Sequence, residues 1–414
     1  MDDERRGTVA GGPPATVPFV DHHCHSLLRS WPEASASEWP AWRRCFTEST
    51  DRRVLARDVP DLLGYRRFLT ALAPLVGAEG SGELAVVEAR DRLAGAEPEA
   101  YLRMLLGNCA MAALLVDTGY GGPGTLALDE LERATGRPVR EVVRLESVVE
   151  ALLGAGGRAT RSLDALAEAF ETRVGEAIEG GAVALKSVLA YRAGLRLPSS
   201  GPAELRRAFT ELDLAAQARR FDDPVLEPFL VRRAAELAAA RDVPLQFHTG
   251  FGDADIDLPR ADPALLRPLL TDPRTEACPV VLLHCYPFAA GAAYLAGLYP
   301  QVHLDLSLAI PLAEPIAAHL VREALGLCPA GKLMAASDGH SFPEMHWWGA
   351  IVWRRALATV LGAEVDRGDL DQPAADEISS RILGRTARSL YRLRQAGHGT
   401  PGHGTPGHGT AERP

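Results

Sequence analysis

Short apolar runs recur along the chain, and nearly every one ends on a polar or charged side chain. They are VPFVDHHCH (17–25), MAALLVDTG (111–119), REVVRLES (140–147), AVALKSVLA (182–190), PLQFHTG (244–250), PVVLLHCYP (279–287), VHLDLSLAI (302–310) and KLMAASDGH (332–340). Most are apolar almost throughout, the pattern of parallel strands buried on both faces. Alanine-rich amphipathic stretches such as RSLDALAEAFETRVGEAI and EPFLVRRAAELAAAR lie between them and read as helices. Eight strands alternating with helices predict a (β/α)8 TIM barrel. A doubly wound open sheet shares the alternation, but it would gather polar groups at one switch point rather than at the end of nearly every strand.

The spacing between the first two strands is uneven with the rest. Residues 26–110 are rich in Trp, Pro and Arg, and a gap of that length predicts a helical insertion, serving either as a substrate lid or as extra core or an oligomer surface. Two further helices are expected after the last strand, in EMHWWGAIVWRRALATVLG and AADEISSRILGRTARSLYRLRQ. The barrel is expected over 17–395, with a flexible N-terminus (1–16). The GHGTP-repeat tail (396–414) is too polar and repetitive to form a core and is expected to be disordered.

Composition narrows the class. The chain has 414 residues, 47% hydrophobic and 24% charged, with a formal charge of −10. That length suffices for a large core, and the acidic balance argues against a nucleic-acid surface or a polybasic membrane patch. No run approaches the roughly 20 apolar residues of a membrane span, and the acidic opening MDDERRGTVAGGPPATVP lacks a signal-peptide stretch. Six cysteines without paired spacing read as reduced thiols, so a cytoplasmic protein with a small-molecule substrate is expected.

The candidate chemistry lies at the strand ends, where barrel enzymes place their catalytic groups. In DHHCH, strand alternation puts His23 and His25 on one face, opposite His22 and Cys24, with Asp21 on the same face to orient a ligand ring. The later ends carry Asp117, Arg144 and Glu146, Lys186, His248, His284, Asp305 and Asp338. Histidines and carboxylates converging on one end of one barrel predict a bound metal.

The order and spacing of these groups resemble the amidohydrolase superfamily, of the amidohydrolase-2 type. DHHCH is similar to its first-strand His-x-His motif, FHTG and LLHCYP to its fifth- and sixth-strand histidines, and ASDGH to its eighth-strand aspartate. RLES, KSVLAYRAGL, FHTGFGDADIDL and SDGHSFPEMHWWGA further resemble the amidohydrolase-like half of FluG-type proteins, where a glutamine-synthetase-like half follows. No such half is expected within these 414 residues.

The resemblance implies that His23, His25, His248 and Asp338 hold a divalent metal, with Asp338 also the general base toward metal-activated water. His284 is then either a ligand of a second ion or an acid/base group. Three imidazoles and a carboxylate suit Zn2+, with Mn2+ and Fe2+ open. A second ion needs a bridging carboxylate, from a carbamylated Lys186 or from Glu146. Otherwise Lys186 binds substrate and Glu146 pairs with a neighbouring arginine.

Arg144, Arg192 and Tyr191 form a candidate cationic pocket for a substrate carboxylate, while Asp253 and Asp255 are placed to receive an ammonium. His340 is expected at the mouth beside Trp347, which reads equally as core. The expected activity is hydrolysis of a C–N bond in a small carboxylated molecule, such as a γ-glutamyl or other amino-acid-derived amide. A decarboxylase of the same superfamily and a non-catalytic scaffold are the alternatives, and a homodimer is the expected assembly.

Overall fold

In the computed structural model, residues 17–31 and 39–393 are described. The expectations for the flexible N-terminus and the repeat tail fall outside those residues. Seven parallel strands run in the order β1 (Phe19–Cys24), β2 (Met111–Asp117), β3 (Val139–Arg144), β4 (Ala184–Ser187), β5 (Leu245–Thr249), β6 (Val280–His284) and β7 (Val302–Leu304). Each pairs only with its chain neighbours, as a singly wound barrel requires and a doubly wound sheet does not.

The eighth expected strand is present as a segment without a regular ladder. It touches β7 through one bridge, Leu304 to Leu333, and on the other side Asp338 N donates to His23 O at 3.1 Å. It therefore fills the gap between β7 and β1. Positive φ angles at Asp338 (50°) and Ser341 (62°) break the extended conformation a ladder needs.

Inside the ring, Val20, Ala113, Leu115, Val142, Ala184, Val281, Leu283 and Met334 form a small apolar plug, closed below by Ala387 and Tyr391 of the C-terminal helical segment. Alternation along strands buried on both faces produces this layer. The polar groups sit at the carboxyl ends of the strands, beyond the plug.

The helical insertion is real. Helices Leu63–Val76, Glu83–Ala96 and Pro98–Asn108 precede β2, after shorter turns over 41–61. Phe68 contacts Trp42 and Trp348 at centroid distances of 5.6 and 5.7 Å, and Arg90 and Tyr101 bond to the buried Glu344 at 2.6 and 2.8 Å. The insertion is thus core packed against the long helix Pro343–Asp366, and Trp347 belongs to that core (2% exposed). Among its described residues, Glu48 reaches the cavity at the barrel mouth.

Candidate metal centre

Simple alternation fails at the end of β1. Asp21 and Cys24 pair with Leu114 and Val116, so three steps on β1 oppose two on β2. This bulge lets His22 and His23 both face the barrel interior, where pure alternation would separate them. Asp21 consequently faces outward. It accepts from Ser337 N (2.8 Å) and Ser337 Oγ (2.5 Å) and orients no ligand ring. That task falls to Gln246 of β5, whose Oε1 lies 3.0 Å from His23 Nδ1.

Partners fix the histidine tautomers. Gln246 Oε1 can only accept, so His23 carries its proton on Nδ1 and turns a bare Nε2 toward the site. His25 Nδ1 lies 3.3 Å from the Asp117 carbonyl, which also only accepts, so His25 Nε2 is bare too. Both point at Asp338 Oδ1, from 3.2 and 3.4 Å. Ligand atoms of these three residues lie within 4.8 Å of one another, and Asp338 Oδ1 is buried without a hydrogen-bond partner. Three lone-pair atoms with no proton between them repel one another unless a cation sits among them. The nearest positive charge is Lys186, Nζ 3.2 Å from His23 Nε2. The residues present therefore fit a divalent metal.

His248 and His284 stand beside this trio rather than within it. Their rings are 4.5 Å apart, and the His284 ring is 5.5 Å from that of His23. His248 donates from Nε2 to Phe251 O (3.1 Å), leaving Nδ1 bare. His284 Nδ1 accepts from Leu308 N (3.3 Å) and contacts Ser307 Oγ (2.8 Å), so its proton is on Nε2. His284 and Cys285 have φ of 69° and 59°, and Asp305 holds the bend by accepting from His284 N at 2.7 Å. Non-glycine residues in this region cost about 1 kcal/mol or more each.

Burial lowers the pKa of His23, and nearby Lys186 lowers it further. His248 and His284 lie well below the ordinary value, again chiefly through burial. Burial acts to raise Asp338, but His284, His23 and His25 hold it well below the carboxylate range. Burial also pulls Lys186 down to about 8. Neutral imidazoles beside an ionised carboxylate are the protonation states that metal ligation needs.

The cavity above these groups measures about 230 Å3. Lys186, Tyr191, Arg192, Arg144 and His340 all line it. Tyr191 packs on His248 at 4.3 Å, and burial moves its hydroxyl pKa up. Gly252 makes room for that tyrosine, since a Cβ there would overlap its hydroxyl. His340 neighbours Tyr120, which also packs on His25, and burial holds His340 at about 4.

Several candidates are otherwise engaged. Arg144 is paired with buried Asp117 at 2.6 Å, through two guanidinium nitrogens. Arg192 is shared between Glu150 (3.3 Å) and Phe221 O (3.0 Å). Asp255 pairs with Arg220 at 2.7 Å, leaving Asp253 as the acidic group of that loop facing the cavity without an arginine. Glu146 makes no ion pair with an arginine among the described residues, and its Oε2 is buried without a hydrogen-bond partner. β3 ends at Arg144, Glu146 lies in the first turn of helix Leu145–Ala155, and its Oε1 accepts from Ser187 Oγ (2.7 Å) and Val188 N (2.9 Å).

Sequence reasoning missed Gln246, although a polar residue in the otherwise apolar LQFHT, two before His248 and on the same face, was a usable signal. It also missed Glu48, Tyr120 and Arg220. Glu48 hydrogen-bonds Asp253 across the cavity mouth, and burial together with Asp253 pushes its carboxyl up to about 8. Nothing in its local sequence marks it.

Residues 187–393, half of the chain, match the amidohydrolase family. The chain belongs to that family. The chain is 30% identical over 407 residues to the protein fluG of Emericella nidulans, covering 92% of this chain and 46% of fluG. It thus spans about half the length of that curated relative. A protein of Lactobacillus casei ATCC 334, provisionally named a metal-dependent hydrolase, superposes with TM-score 0.80 at 28% identity over 92% of this chain and 98% of its own. The uronate isomerase of Thermotoga maritima shares the fold, with TM-score 0.66 at 14% identity over 91% of this chain and 95% of its own. Among the described residues, no helix is long and apolar enough to cross a membrane.

Proposed function

We propose that the chain hydrolyses a C–N bond in a small amide bearing both a carboxylate and an amine, of the γ-glutamyl or other amino-acid-derived kind. The reading rests on the convergence of bare His23 Nε2, His25 Nε2 and Asp338 Oδ1 at the floor of one cavity. These atoms, with bare His248 Nδ1 beside them, would hold a single divalent ion. The donor set suits Zn2+, and Mn2+ or Fe2+ are compatible with it. When bound, the ion supplies Lewis acidity toward a substrate carbonyl and acidifies water at its open face. Asp338 takes the proton released by the attacking water. His284, with its proton on Nε2, stands ready to protonate the leaving amine.

Substrate contacts come from the cavity walls. Lys186, Arg192 and His340 offer positive or hydrogen-bonding groups to a carboxylate, and Tyr191 lies against His248. Glu48 and Asp253, opposite them, suit an ammonium group. A cavity of about 230 Å3 restricts the substrate to a molecule smaller than a typical drug.

The test is elemental analysis of purified protein, followed by a panel of γ-glutamyl and aminoacyl amides scored for released amine with and without chelator. Stoichiometric metal and chelator-sensitive amine release support the reading. Release of carbon dioxide instead of amine would move it to a lyase. Absence of both metal and turnover would overturn it.

A further inference from the structure

The barrel plug carries a polar network that none of the catalytic roles above uses. Tyr391, from the C-terminal segment, is 3% exposed and lies directly beneath the metal centre. Its hydroxyl is 2.9 Å from Gln246 Nε2 and 3.1 Å from His22 Nδ1. Gln246 Nε2 also donates to the carbonyl of His22 at 3.0 Å, which fixes the amide with Oε1 toward His23. The hydroxyl accepts from Gln246 and has one proton to give, so it donates to His22 Nδ1. His22 then carries its own proton on Nε2, which faces Asp305 Oδ2 at 3.1 Å as a close ionic contact without hydrogen-bond alignment. The other oxygen of Asp305 holds His284 N and both polar atoms of Ser307, which touches His284 Nδ1.

One hydroxyl beneath the barrel sits where two branches meet, one ending on a candidate metal ligand and the other on the candidate proton donor. The groups are fully buried, so water cannot replace a lost partner, and an unmet polar atom here is costly.

We propose that Tyr391 is a positioning residue that, through Gln246, locks His23 in the tautomer that presents a bare Nε2 to a metal, and through His22 and Asp305 sets the orientation of His284. The inference rests on the metal reading above and extends it to residues remote from substrate. Outer partners of metal-bound histidines typically change affinity by about 10- to 100-fold when removed. Gln246 is the direct partner and Tyr391 acts through it, so Gln246→Leu should have the larger effect.

The test measures metal affinity of the full chain by chelator competition, for the parent, Gln246→Leu and Tyr391→Phe, alongside thermal unfolding of each protein with metal stripped. The expected result is affinity weakened about 10- to 100-fold in Gln246→Leu and several-fold in Tyr391→Phe. Tyr391→Phe is nearly isosteric and keeps the ring stack on His22 (5.7 Å), so it remains informative if Gln246→Leu does not fold. A purely structural role would lower the unfolding temperature of the stripped protein and leave affinity at the parental value, and that result overturns the proposal. Failure of the parent itself to bind metal would instead overturn the metal reading, and this inference with it.

Discussion

Two regions of the barrel mouth use similar residues to opposite ends. On the side of β3, the charges are held by neighbouring groups: Arg144 pairs with Asp117, and Glu146 Oε1 accepts from Ser187 Oγ and Val188 N. On the side of β1 and the eighth segment, two bare imidazole nitrogens and a carboxylate oxygen face one another without protons. Buried polar atoms are ordinarily satisfied, so the first arrangement is what folding alone produces. The second is stable only if something else completes it. Satisfaction, more than residue type, separates supporting charges from a ligand site, and the two sides should respond differently to substitution.

The largest effect is expected on the incomplete side. Asp338→Asn keeps shape but removes the carboxylate that both ligates and accepts a proton, so turnover should fall about 1,000-fold or more, with metal content also reduced. Stability of the stripped protein should hold or rise, because the substitution relieves an uncompensated charge. Steady-state kinetics, metal analysis and urea unfolding read the three quantities. An Asn variant that loses mainly stability would erase the distinction between the two sides.

Arg144→Ala tests the satisfied side. It leaves Asp117 charged, fully buried and unpaired, and breaking such a pair costs about 3–5 kcal/mol. Urea unfolding should show that loss while metal content stays near the parental level. If metal is lost and stability is not, Arg144 belongs to the centre rather than to its frame.

How far the sequence revealed this contrast depended on the range of the interaction. The apolar runs disclosed strand number and order because burial on both faces acts within each run. The eighth run was read as a strand because nothing local announces positive φ at Asp338 and Ser341. His23, His25, His248, His284 and Asp338 were legible because a parallel barrel carries strand ends to one place whatever the details. Asp21 was misread because the bulge that turns it outward depends on register with β2. Glu146 was placed at a strand end because RLES continues the polar ending of a strand, while the helix actually begins at Leu145. Glu48 was invisible because only tertiary packing of the insertion brings it to Asp253.

A smaller effect concerns acid. Burial holds His303 and His340 at about 4, below the ordinary 6.5. Unfolded chains take up these protons first, so the share of stability set by each histidine is constant above about pH 6.5 and falls as pH drops toward 4, while Glu48, held near 8, acts in the opposite sense below about pH 8. Each histidine should contribute about 2 kcal/mol of loss by pH 5. His340 lines the cavity and His303 does not, so metal loading should reduce the His340 share and leave that of His303 unchanged. Urea midpoints at pH 7, 6 and 5, in the parent and in His303→Gln, measure the shares separately.

The smallest expected effect is the sharpest probe of the boundary. Glu146 is buried, and burial raises its carboxyl toward the neutral form, so a neutral amide imitates it closely. Glu146→Gln retains an oxygen to accept from Ser187 and Val188 N, and stability should change by less than about 1 kcal/mol. Metal stoichiometry should be unaltered and turnover should stay within a few-fold. Glu146→Leu removes the acceptor, strands the Val188 amide and should cost about 1–3 kcal/mol, still without loss of metal. A Gln variant that keeps its fold and binds half the metal would show that Glu146 bridges a second ion, and the division between satisfied and incomplete sides would have to be redrawn around β3.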